Sequence, residues 1–536
     1  MADDTGDEPF DVCILGSGAG GGAAAYTLTK AGLRVVMLEK GAHYRTEDFF
    51  HDEIAVCRRN YFVPSVFEEP RMIARDGGVV QPSSDAWISC CVGGGTVHMS
   101  GFFFRMRDDD FRMKTRLGAV EGASVADWPI AAAELAPHYD EVERVIGVSG
   151  DHVAEGRRAP YPLGPIATHP SGALIDDACK KLGFHSFQCG RAIISAPYDG
   201  RLACHHCGFC GSYGCEVAAK SSTLVTFIAR ATATGKLTLI PRAMVSRLVA
   251  GANGRLESAT YFDDQGVEQR VRAKAFVVAC SAIETARLLL GSGVANESGQ
   301  VGKHLMFATY ASASARFTLP SPHFPSGPPF LPFIDRCVQD FYGEAGTLLF
   351  LLPHKNPIFQ AERVARGGGD APIFGAALKA KMREYFLDTR SIDFEAFGSF
   401  LPHDGCDVTL DPTVKDRFGL PVARVRVATH VASRAGSDFL STKGRAVLDA
   451  AGAKQIVDVD DERTYLVLQA GTARMGRDES SSVLDQTGRA HHIKNLYVAD
   501  SSGFPSVPGA PWTLTIMANA LRVATHLVAR GKRGEL

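Results

Sequence analysis

The sequence predicts an α/β protein with two domains, one built around a parallel sheet and the other around an antiparallel sheet. Three observations predict this class. Two apolar strands flank a glycine-rich helix within residues 10–39. Polar and apolar residues alternate through 245–278, with turn signals at 253–254 and 263–266, as in a β-meander. The stretch 306–452 combines apolar runs with proline clusters, which is typical of a separate sheet domain with long loops.

The size and charge of the chain limit what it can do. Its 536 residues carry 57 Lys+Arg against 59 Asp+Glu, and a net charge of −2 provides no general attraction to nucleic acid. The 45% hydrophobic and 22% charged residues indicate a globular chain. Its apolar runs are shorter than the about 20 residues that cross a bilayer, so we expect no direct membrane insertion. Residues 1–9 are acidic and polar, unlike a secretion signal, which predicts a cytoplasmic protein.

The first elements of the chain form a strand–helix–strand unit. Residues 10–15 (FDVCIL) predict a buried strand, 19–31 a helix of small residues, and 33–39 a second strand. Strands connected through a helix in this way run parallel. Near the other end, 495–498 predict a strand and 514–529 an amphipathic helix.

The turn between the first strand and its helix, GSGAGG, fits the pattern G-x-G-x-x-G. Gly16 permits the tight turn, Gly18 lets the backbone approach a pyrophosphate, and Gly21 lets helix and strand pack closely. Glu39, at the end of the second strand, is placed to accept hydrogen bonds from a ribose. The pattern predicts a dinucleotide at the helix N-terminus, either FAD or NAD. The alternative is a glycine turn that only packs the unit.

Further short motifs are spread along the chain: CCVGGGTVHMSG at 90–101, AIETARLLL at 282–290, GTARMG at 471–476, NLYVAD at 495–500 and TLTIMA at 513–518. Together with the nucleotide motif, they resemble the glucose–methanol–choline (GMC) family of FAD oxidoreductases. WPI at 128–130, HYD at 138–140 and GVSG at 147–150 are most similar to the gluconate 2-dehydrogenase flavoprotein branch of that family.

The resemblance implies an FAD-dependent oxidoreductase and assigns roles to several residues. Gly94, Gly95 and Thr96 would lie close to the isoalloxazine and ribityl chain, and the backbone of Val245 would pair with the adenine. Asp500 would lie beside the pyrophosphate and the N-terminus of the final helix. A plain helix N-cap is the alternative for Asp500.

The resemblance also implies a division into domains. A Rossmann-like FAD-binding domain would be assembled from residues 1–150, 201–305 and 455–536, with 151–200 as a connecting segment. A substrate domain would comprise 306–454, with its antiparallel sheet covering the flavin. The substrate class that the family implies is an organic alcohol.

Four cysteines are crowded into one loop: Cys204, Cys207, Cys210 and Cys215. Their C-x2-C-x2-C-x4-C spacing predicts an iron–sulfur cluster, 3Fe-4S or 4Fe-4S, because one loop can wrap around it as in bacterial ferredoxins. Structural zinc is one alternative, bound by four thiolates or with His205 or His206 in place of a cysteine, and plain thiols or disulfides are another.

A cluster beside a flavin has consequences for electron transfer. A reduced flavin holds two electrons and a cluster accepts one at a time, which favours a dehydrogenase with an external, non-oxygen acceptor over an oxidase. A purely structural cluster is the alternative. The resemblance implies a small subunit and a cytochrome subunit as partners, and export together with such a partner would place the chain in the periplasm.

The sequence departs from the family at two positions on the substrate side. Alcohol-oxidising members carry a histidine that removes the hydroxyl proton, and a His or Asn that holds the substrate oxygen. Here these positions hold Leu468 and Pro511, or Ala510 in place of Pro511 in a shifted alignment. None of these side chains accepts a proton or donates a hydrogen bond. Trp512, if it faces the flavin, would suit an apolar or aromatic substrate.

Three explanations for this departure are open. In the first, another residue is the base, and the candidates are His98, His323, His354, His403 and His430. In the second, the enzyme dehydrogenates a C–C or C–N bond, or carries out another flavin reaction that needs no such base. In the third, the chain is a catalytically silent flavoprotein for electron transfer or binding.

Overall fold

The computed structural model describes residues 8–57, 61–83, 85–86, 88–157, 159–324, 333–352, 357–366, 372–460 and 464–536. Its strands are β1 (Phe10–Leu15), β2 (Val35–Leu38), β3 (Arg71–Arg75), β4 (Gln81–Ser83), β5 (Ser186–Gln188), β6 (Leu237–Ile240), β7 (Met244–Ala250), β8 (Leu256–Phe262), β9 (Glu268–Val278), β10 (Met306–Thr318), β11 (Arg336–Val338), β12 (Gly346–Leu351), β13 (Thr389–Gly398), β14 (Asp407–Lys415), β15 (Pro421–Val427), β16 (Gln455–Asp460), β17 (Thr464–Ala470) and β18 (Leu496–Val498).

The α-helices are α1 (Ala19–Lys30), α2 (Glu53–Cys57), α3 (Met113–Leu117), α4 (Ala132–Ile146), α5 (Gly172–Leu182), α6 (Ala229–Ala233), α7 (Ala282–Ser292), α8 (Pro357–Arg366), α9 (Gly375–Arg383), α10 (Val431–Ala450) and α11 (Thr513–Lys532). Among the described residues, none of these helices is both long and apolar enough to cross a membrane.

The first sheet contains the glycine turn. Its strand order is β6-β2-β1-β9-β8-β7, and β18 also pairs with β9. The pairs β1–β2, β1–β9, β2–β6 and β9–β18 are parallel, whereas β7, β8 and β9 form an antiparallel meander. Residues 12–15 and 35–38 are fully buried, as their apolar runs predict. The predicted α/β class, the first unit, the meander and the last strand and helix are therefore confirmed, with ends shifted by a few residues.

The second sheet is antiparallel and has two different faces. Its order is β16-β10-β13-β12-β11-β5, and β17 also pairs with β10. Side chains alternate along β13, so Ile392, Phe394 and Ala396 join a hydrophobic core with α10. Glu395 and Phe397 point to the opposite face, which borders the nucleotide side of the molecule.

Strand pairing in this sheet crosses the domain boundaries expected from the sequence. β5 lies within 151–200, the range expected to be a connecting segment, and it pairs with β11. β16 and β17 lie within 455–536, the range expected to belong to the nucleotide domain, and both pair with β10. The second sheet therefore takes strands from outside 306–454.

A third sheet of four strands, β14-β15-β3-β4, closes one side of the molecule and was not predicted from the sequence. β15 runs parallel to β3, and the other two pairs are antiparallel. Helix α7, which follows β9 of the first sheet, packs on β14 and β15. The third sheet is thereby attached to the first.

Candidate active site

A cavity of about 630 Å³ lies between the first sheet, the second sheet and the third. Glu395 and Phe397 of β13 line one side, and Leu410 of β14 and Pro421 of β15 line another. The residues predicted to contact FAD that line the cavity are Gly16, Gly18, Glu39, Gly94, Gly95, Thr96, Val245 and Asp500. The structure thus brings together residues that are up to about 480 positions apart in the sequence.

Close backbone contacts explain the glycines of the first turn. Gly16 has a φ of +94°, and a Cβ there would lie 2.4 Å from the carbonyl oxygen of Ala279. A Cβ on Gly20 would lie 2.0 Å from the Ala499 carbonyl oxygen, and one on Gly21 would lie 1.9 Å from the Gly16 carbonyl oxygen. Side chains at these positions would force α1 away from the sheet, so Gly21 serves packing, as predicted, and does not line the cavity.

Gly18 and Gly94 bring two turns together in the cavity wall. Gly94 has a φ of +53°, and a Cβ there would lie 2.8 Å from the Cα of Gly18. Gly18 is the N-cap of α1, and no side chain caps this helix end. Uncovered N–H groups at a helix N-terminus bind anions such as a diphosphate. The residues present here therefore fit the diphosphate of FAD.

Two threonines hold the second turn in place. Thr96 Oγ1 donates to the carbonyl oxygen of Gly93 at 2.6 Å, and the backbone N–H of Thr223 donates to Thr96 Oγ1 at 3.0 Å. The Gly93 N–H donates to Ser17 Oγ at 3.0 Å, which ties this turn to the first one. Thr96 therefore positions the glycine backbone along the cavity.

Glu39 lies at the cavity edge with its carboxylate already bound by the protein. Oε2 accepts hydrogen bonds from the N–H of Ser17 at 3.0 Å and from its hydroxyl at 2.6 Å, and Oε1 accepts from the Gly41 N–H at 2.8 Å. Burial raises the pKa of Glu39, against the lowering effect of these bonds. A contact between Glu39 and a ribose stays a prediction.

Asp500 is an N-cap, but not of the final helix. Its Oδ1 accepts from the Ser502 N–H at 2.9 Å and caps a short 3-10 helix, Ser501–Gly503. Its Oδ2 accepts from the Ser281 N–H at 2.8 Å and from the Thr285 hydroxyl at 2.7 Å, at the start of α7. The N-cap of α11 is Trp512. Asp500 therefore joins the end of β18 to α7 within the cavity wall.

The predicted adenine position is part of the meander. Val245 lies on β7 and lines the cavity, and a bulge interrupts the pairing with β8 between Val245 and Arg247. A bulge frees backbone groups from the ladder, which is what pairing with a base edge requires. The contact itself stays a prediction.

The two departures from the family pattern also meet in the cavity. Leu468 of β17 and Pro511 both line it, as does Trp512, which is buried. The neighbouring Gln469 also lines the cavity, and its amide N–H donates to the Ala86 carbonyl oxygen at 3.0 Å. The substrate side is thus apolar where a proton acceptor was expected.

Of the histidines proposed as replacement bases, His98 lines the cavity. Its Nε2 hydrogen-bonds with the hydroxyl of Ser89, and its ring stacks on Phe62 with centroids 5.1 Å apart. These contacts hold the imidazole in the wall on the nucleotide side.

The other proposed histidines are elsewhere. Both His403 and His430 hydrogen-bond to backbone carbonyl oxygens at 2.9 Å, and neither lines the cavity. His323 also lies outside the cavity lining. His354 falls outside the described residues.

A carboxyl group that belongs to none of the sequence motifs, Glu395, lies in the cavity wall. The Tyr310 hydroxyl donates to its Oε1 at 3.1 Å. Burial raises the pKa of Glu395 to about 7, against the lowering effect of Tyr310 and with added repulsion from Asp393. In the sequence, the alternation of Asp393 and Glu395 with apolar neighbours resembles a strand with one solvent-exposed face, so no local signal marks it.

The cysteine loop lies beside a second, smaller cavity. The four predicted ligands that line it are Cys204, Cys207, Cys210 and Cys215. Among the described residues, no group of three or more His, Cys, Asp or Glu side chains is positioned to hold a single metal ion. The buried Lys220 ammonium donates to the carbonyl oxygens of Cys210 at 2.5 Å and Tyr213 at 2.6 Å, closing the loop on itself. The metal-ligand assignment therefore stays a prediction.

Fold and cavity together are those of a protein with a Rossmann-like nucleotide-binding domain. Family models described as GMC oxidoreductase match residues 73–309 and 402–520, and a model of an NAD(P)-binding Rossmann-like domain matches 14–57. The chain is 30% identical to the 6'''-hydroxyparomomycin C oxidase of Streptomyces lividus, across 98% of this chain and 93% of that protein. It belongs to the GMC oxidoreductase family, whose cofactor is FAD.

Other relatives extend this similarity. The chain is 30% identical to the 2-methyl-1,2-propanediol dehydrogenase of Mycolicibacterium austroafricanum, across 98% of this chain and 96% of that protein. It is 24% identical to the gluconate 2-dehydrogenase flavoprotein of Pantoea cypripedii, across 95% and 92%. The predicted family is therefore confirmed, and its members similar to this chain include both oxidases and dehydrogenases.

A solved structure shows the same fold. The pyridoxine 4-oxidase from Mesorbium loti superimposes with a TM-score of 0.65 over 96% of this chain and 99% of that one. Because the sequences are only 17% identical, this likeness concerns the fold alone.

Proposed function

We propose that this protein oxidises an organic alcohol to a carbonyl compound with FAD. The cavity is the observation that carries the proposal, because one space is lined both by the glycine turn that fits the diphosphate and by Glu395 and Phe397 of the second sheet. A mostly apolar cavity with a few polar groups is the usual form of a small-molecule site. When bound, the flavin accepts the two electrons of the substrate C–H bond.

The relatives support a hydroxyl-bearing substrate. Two of them are named for 2-methyl-1,2-propanediol and for gluconate, both of which are hydroxy compounds. In this chain the apolar residues Leu468, Pro511 and Trp512 line the cavity, which favours a substrate with an apolar or aromatic part beside the reacting carbon.

Anaerobic reduction of the bound flavin tests this function. The FAD-loaded protein is mixed without oxygen with 2-methyl-1,2-propanediol, gluconate or 6'''-hydroxyparomomycin C, and the oxidised flavin band is followed. We expect bleaching by at least one of them, with full bleaching by dithionite as the control. Bleaching by dithionite alone would contradict the proposal and favour a flavoprotein that only transfers electrons or binds a partner.

We further propose that Cys204, Cys207, Cys210 and Cys215 hold an iron–sulfur cluster that passes electrons to an external acceptor. All four cysteines line one cavity, and the loop between the last two contributes Gly211 and Ser212 to the wall of the flavin cavity. A cluster in this loop would adjoin the flavin, as one-electron transfer to a partner such as a small subunit and a cytochrome requires.

Iron and acid-labile sulfide, measured in protein purified without oxygen, test the cluster. We expect both in the wild type and neither in Cys207→Ser, with Cys179→Ser, a buried cysteine of α5, as the matched control. Zinc in place of iron, or equal iron in both variants, would contradict the proposal.

Turnover with ferricenium but not with oxygen is the expected result for a dehydrogenase.

A further inference from the structure

Glu395 accepts fewer hydrogen bonds and ion pairs than the other carboxylates of the cavity wall. Glu39 and Asp500 each accept at least three hydrogen bonds from the nucleotide domain. Glu284 pairs with Arg287 at 3.2 Å. For Glu395, Tyr310 is the one hydrogen-bond donor found among the described residues. This carboxyl group therefore keeps the capacity to bind another partner.

The residue opposite Glu395 carries a buried hydroxyl that has no hydrogen-bond partner among the described residues. The register of β10 and β13 places Ser312 directly across from Glu395, so the two side chains are on the same face of the sheet. Ser312 is 4% exposed, and its Oγ has no hydrogen-bond partner among the described residues. A buried hydroxyl without a partner costs about 1–3 kcal/mol, which is offset when a ligand supplies the bond. Unused hydrogen-bonding capacity therefore lies next to Glu395, which itself lines the cavity.

We propose that Glu395 is the general base of the reaction and takes the hydroxyl proton of the alcohol. The proposal rests on the proposed function and names the residue that replaces the family's histidine. In this step the O–H and C–H bonds of the alcohol break, and the carbonyl bond and a carboxyl O–H bond form. The C–H hydrogen leaves with its two electrons to the oxidised flavin, and the proton on Glu395 passes later to solvent.

The environment of Glu395 matches this role. A general base is most effective when its pKa lies near the working pH. Burial raises the pKa of Glu395 to about 7, so the carboxylate is available at neutral pH and still binds a proton readily. Leu468 and Pro511 line the same cavity at the positions where the family carries a histidine and a His or Asn. Glu395 supplies a carboxylate in the same wall.

Replacement by an isosteric amide tests the base directly. Using the compound that bleaches the wild type fastest, we expect Glu395→Gln to reduce flavin on the order of 10²–10⁴ times more slowly. Its FAD content and its bleaching by dithionite should match the wild type. The wild-type rate should rise with pH through about 7, because only the ionised carboxylate accepts a proton, and this acid limb should be absent in the variant.

Two neighbouring variants should move the acid limb in opposite directions. Repulsion from Asp393 raises the pKa of Glu395, so Asp393→Asn should shift the limb to lower pH. The Tyr310 hydroxyl lowers that pKa, so Tyr310→Phe should shift it to higher pH. A Glu395 that only supports the fold would give no such pair of shifts.

A measurement without turnover completes the test. Infrared difference spectra of the FAD-free protein, recorded below and above pH 7, should show a carboxyl group titrating near neutral pH that Glu395→Gln lacks. If the wild type bleaches and Glu395→Gln bleaches equally fast, Glu395 is not the base although the proposed function holds. If the wild type bleaches with none of the alcohols, the proposed function fails and the role of Glu395 with it.

Discussion

Two backbone segments in contact form the centre of the cofactor site. The closest approach is between Gly18, at the N-terminus of α1, and Gly94, in the turn held by Thr96. Because both residues lack a Cβ, a diphosphate can lie against main-chain N–H groups without meeting a side chain. We therefore expect that a single atom added at either position weakens flavin binding.

Gly94→Ala should strongly weaken FAD binding. Its φ of +53° strains an alanine, and the new Cβ would lie 2.8 Å from the Gly18 Cα and separate the two turns. Separating the turns would take main-chain N–H groups away from the diphosphate, so we expect about a tenfold loss of affinity, or about 1.4 kcal/mol, in a fluorescence titration with FAD.

Gly118→Ala is the matched control for this prediction. Gly118 has a similar φ of +68°, but a Cβ there meets no atom within 4 Å, and it lies outside the cavity lining. This variant also strains the backbone but adds no clash, and it should retain FAD. Equal affinity in both variants would show that contact between the two turns is not needed.

At the scale of elements, buried ion pairs connect α7 to the third sheet and to the end of β2. Glu284 and Arg287 of α7 pair at 3.2 Å, and Arg287 pairs with Asp416 at 2.5 Å. Arg71 of β3 approaches Glu284 at 3.7 Å, and Lys40 pairs with Glu69 at 2.8 Å. Lys40, Arg287 and Arg71 together hold the pKa of Glu284 well below its usual value, although burial opposes them.

Glu284→Gln should destabilise the protein by about 3–5 kcal/mol at neutral pH, because it removes the carboxylate beside the buried Arg71 and one of the two carboxylates that pair with Arg287. A carboxyl with a lowered folded-state pKa stabilises the fold fully above its unfolded pKa, and this contribution is lost as the pH falls towards the folded value. The difference from the wild type in urea unfolding should therefore shrink below about pH 4.5.

Glu257→Gln supplies the comparison for this measurement. Glu257 pairs with Arg270 at 3.0 Å, and both side chains are about half exposed. An exposed pair contributes at most about 1 kcal/mol, so this variant should unfold nearly as the wild type does. A pH-independent loss in Glu284→Gln would argue against the buried ion pairs as the cause.

The elements that the sequence predicted are those whose signals are local. An apolar run followed by glycine is enough to place β1, and Asn253 and Gly254 mark a turn of the meander. The third sheet joins residues 71–83 to 407–427, and β5 pairs with β11 about 150 positions later. No short segment of the sequence therefore indicates which strands pair. Glu395 was missed for the same reason, because only the assembled fold covers the polar face of β13.

At the scale of the whole molecule, the cavity is shared among all three sheets. Glu39 follows β2 of the first sheet, Glu395 belongs to β13 of the second, and Pro421 belongs to β15 of the third. A ligand filling this cavity would contact all three sheets at once. The cofactor should therefore stabilise the chain as one unit.

FAD should accordingly raise the thermal midpoint of the entire protein in a single transition. A ligand that binds only the folded state stabilises it by about 2.7 kcal/mol at 100 times its Kd, and the midpoint continues to rise with concentration. Calorimetry of the FAD-free protein with increasing FAD measures this shift, and Gly94→Ala should need proportionally more FAD to reach the same midpoint. Two transitions, of which FAD shifts only one, would contradict this prediction. They would show that the second sheet unfolds independently, because FAD would then stabilise only the part of the chain that binds it.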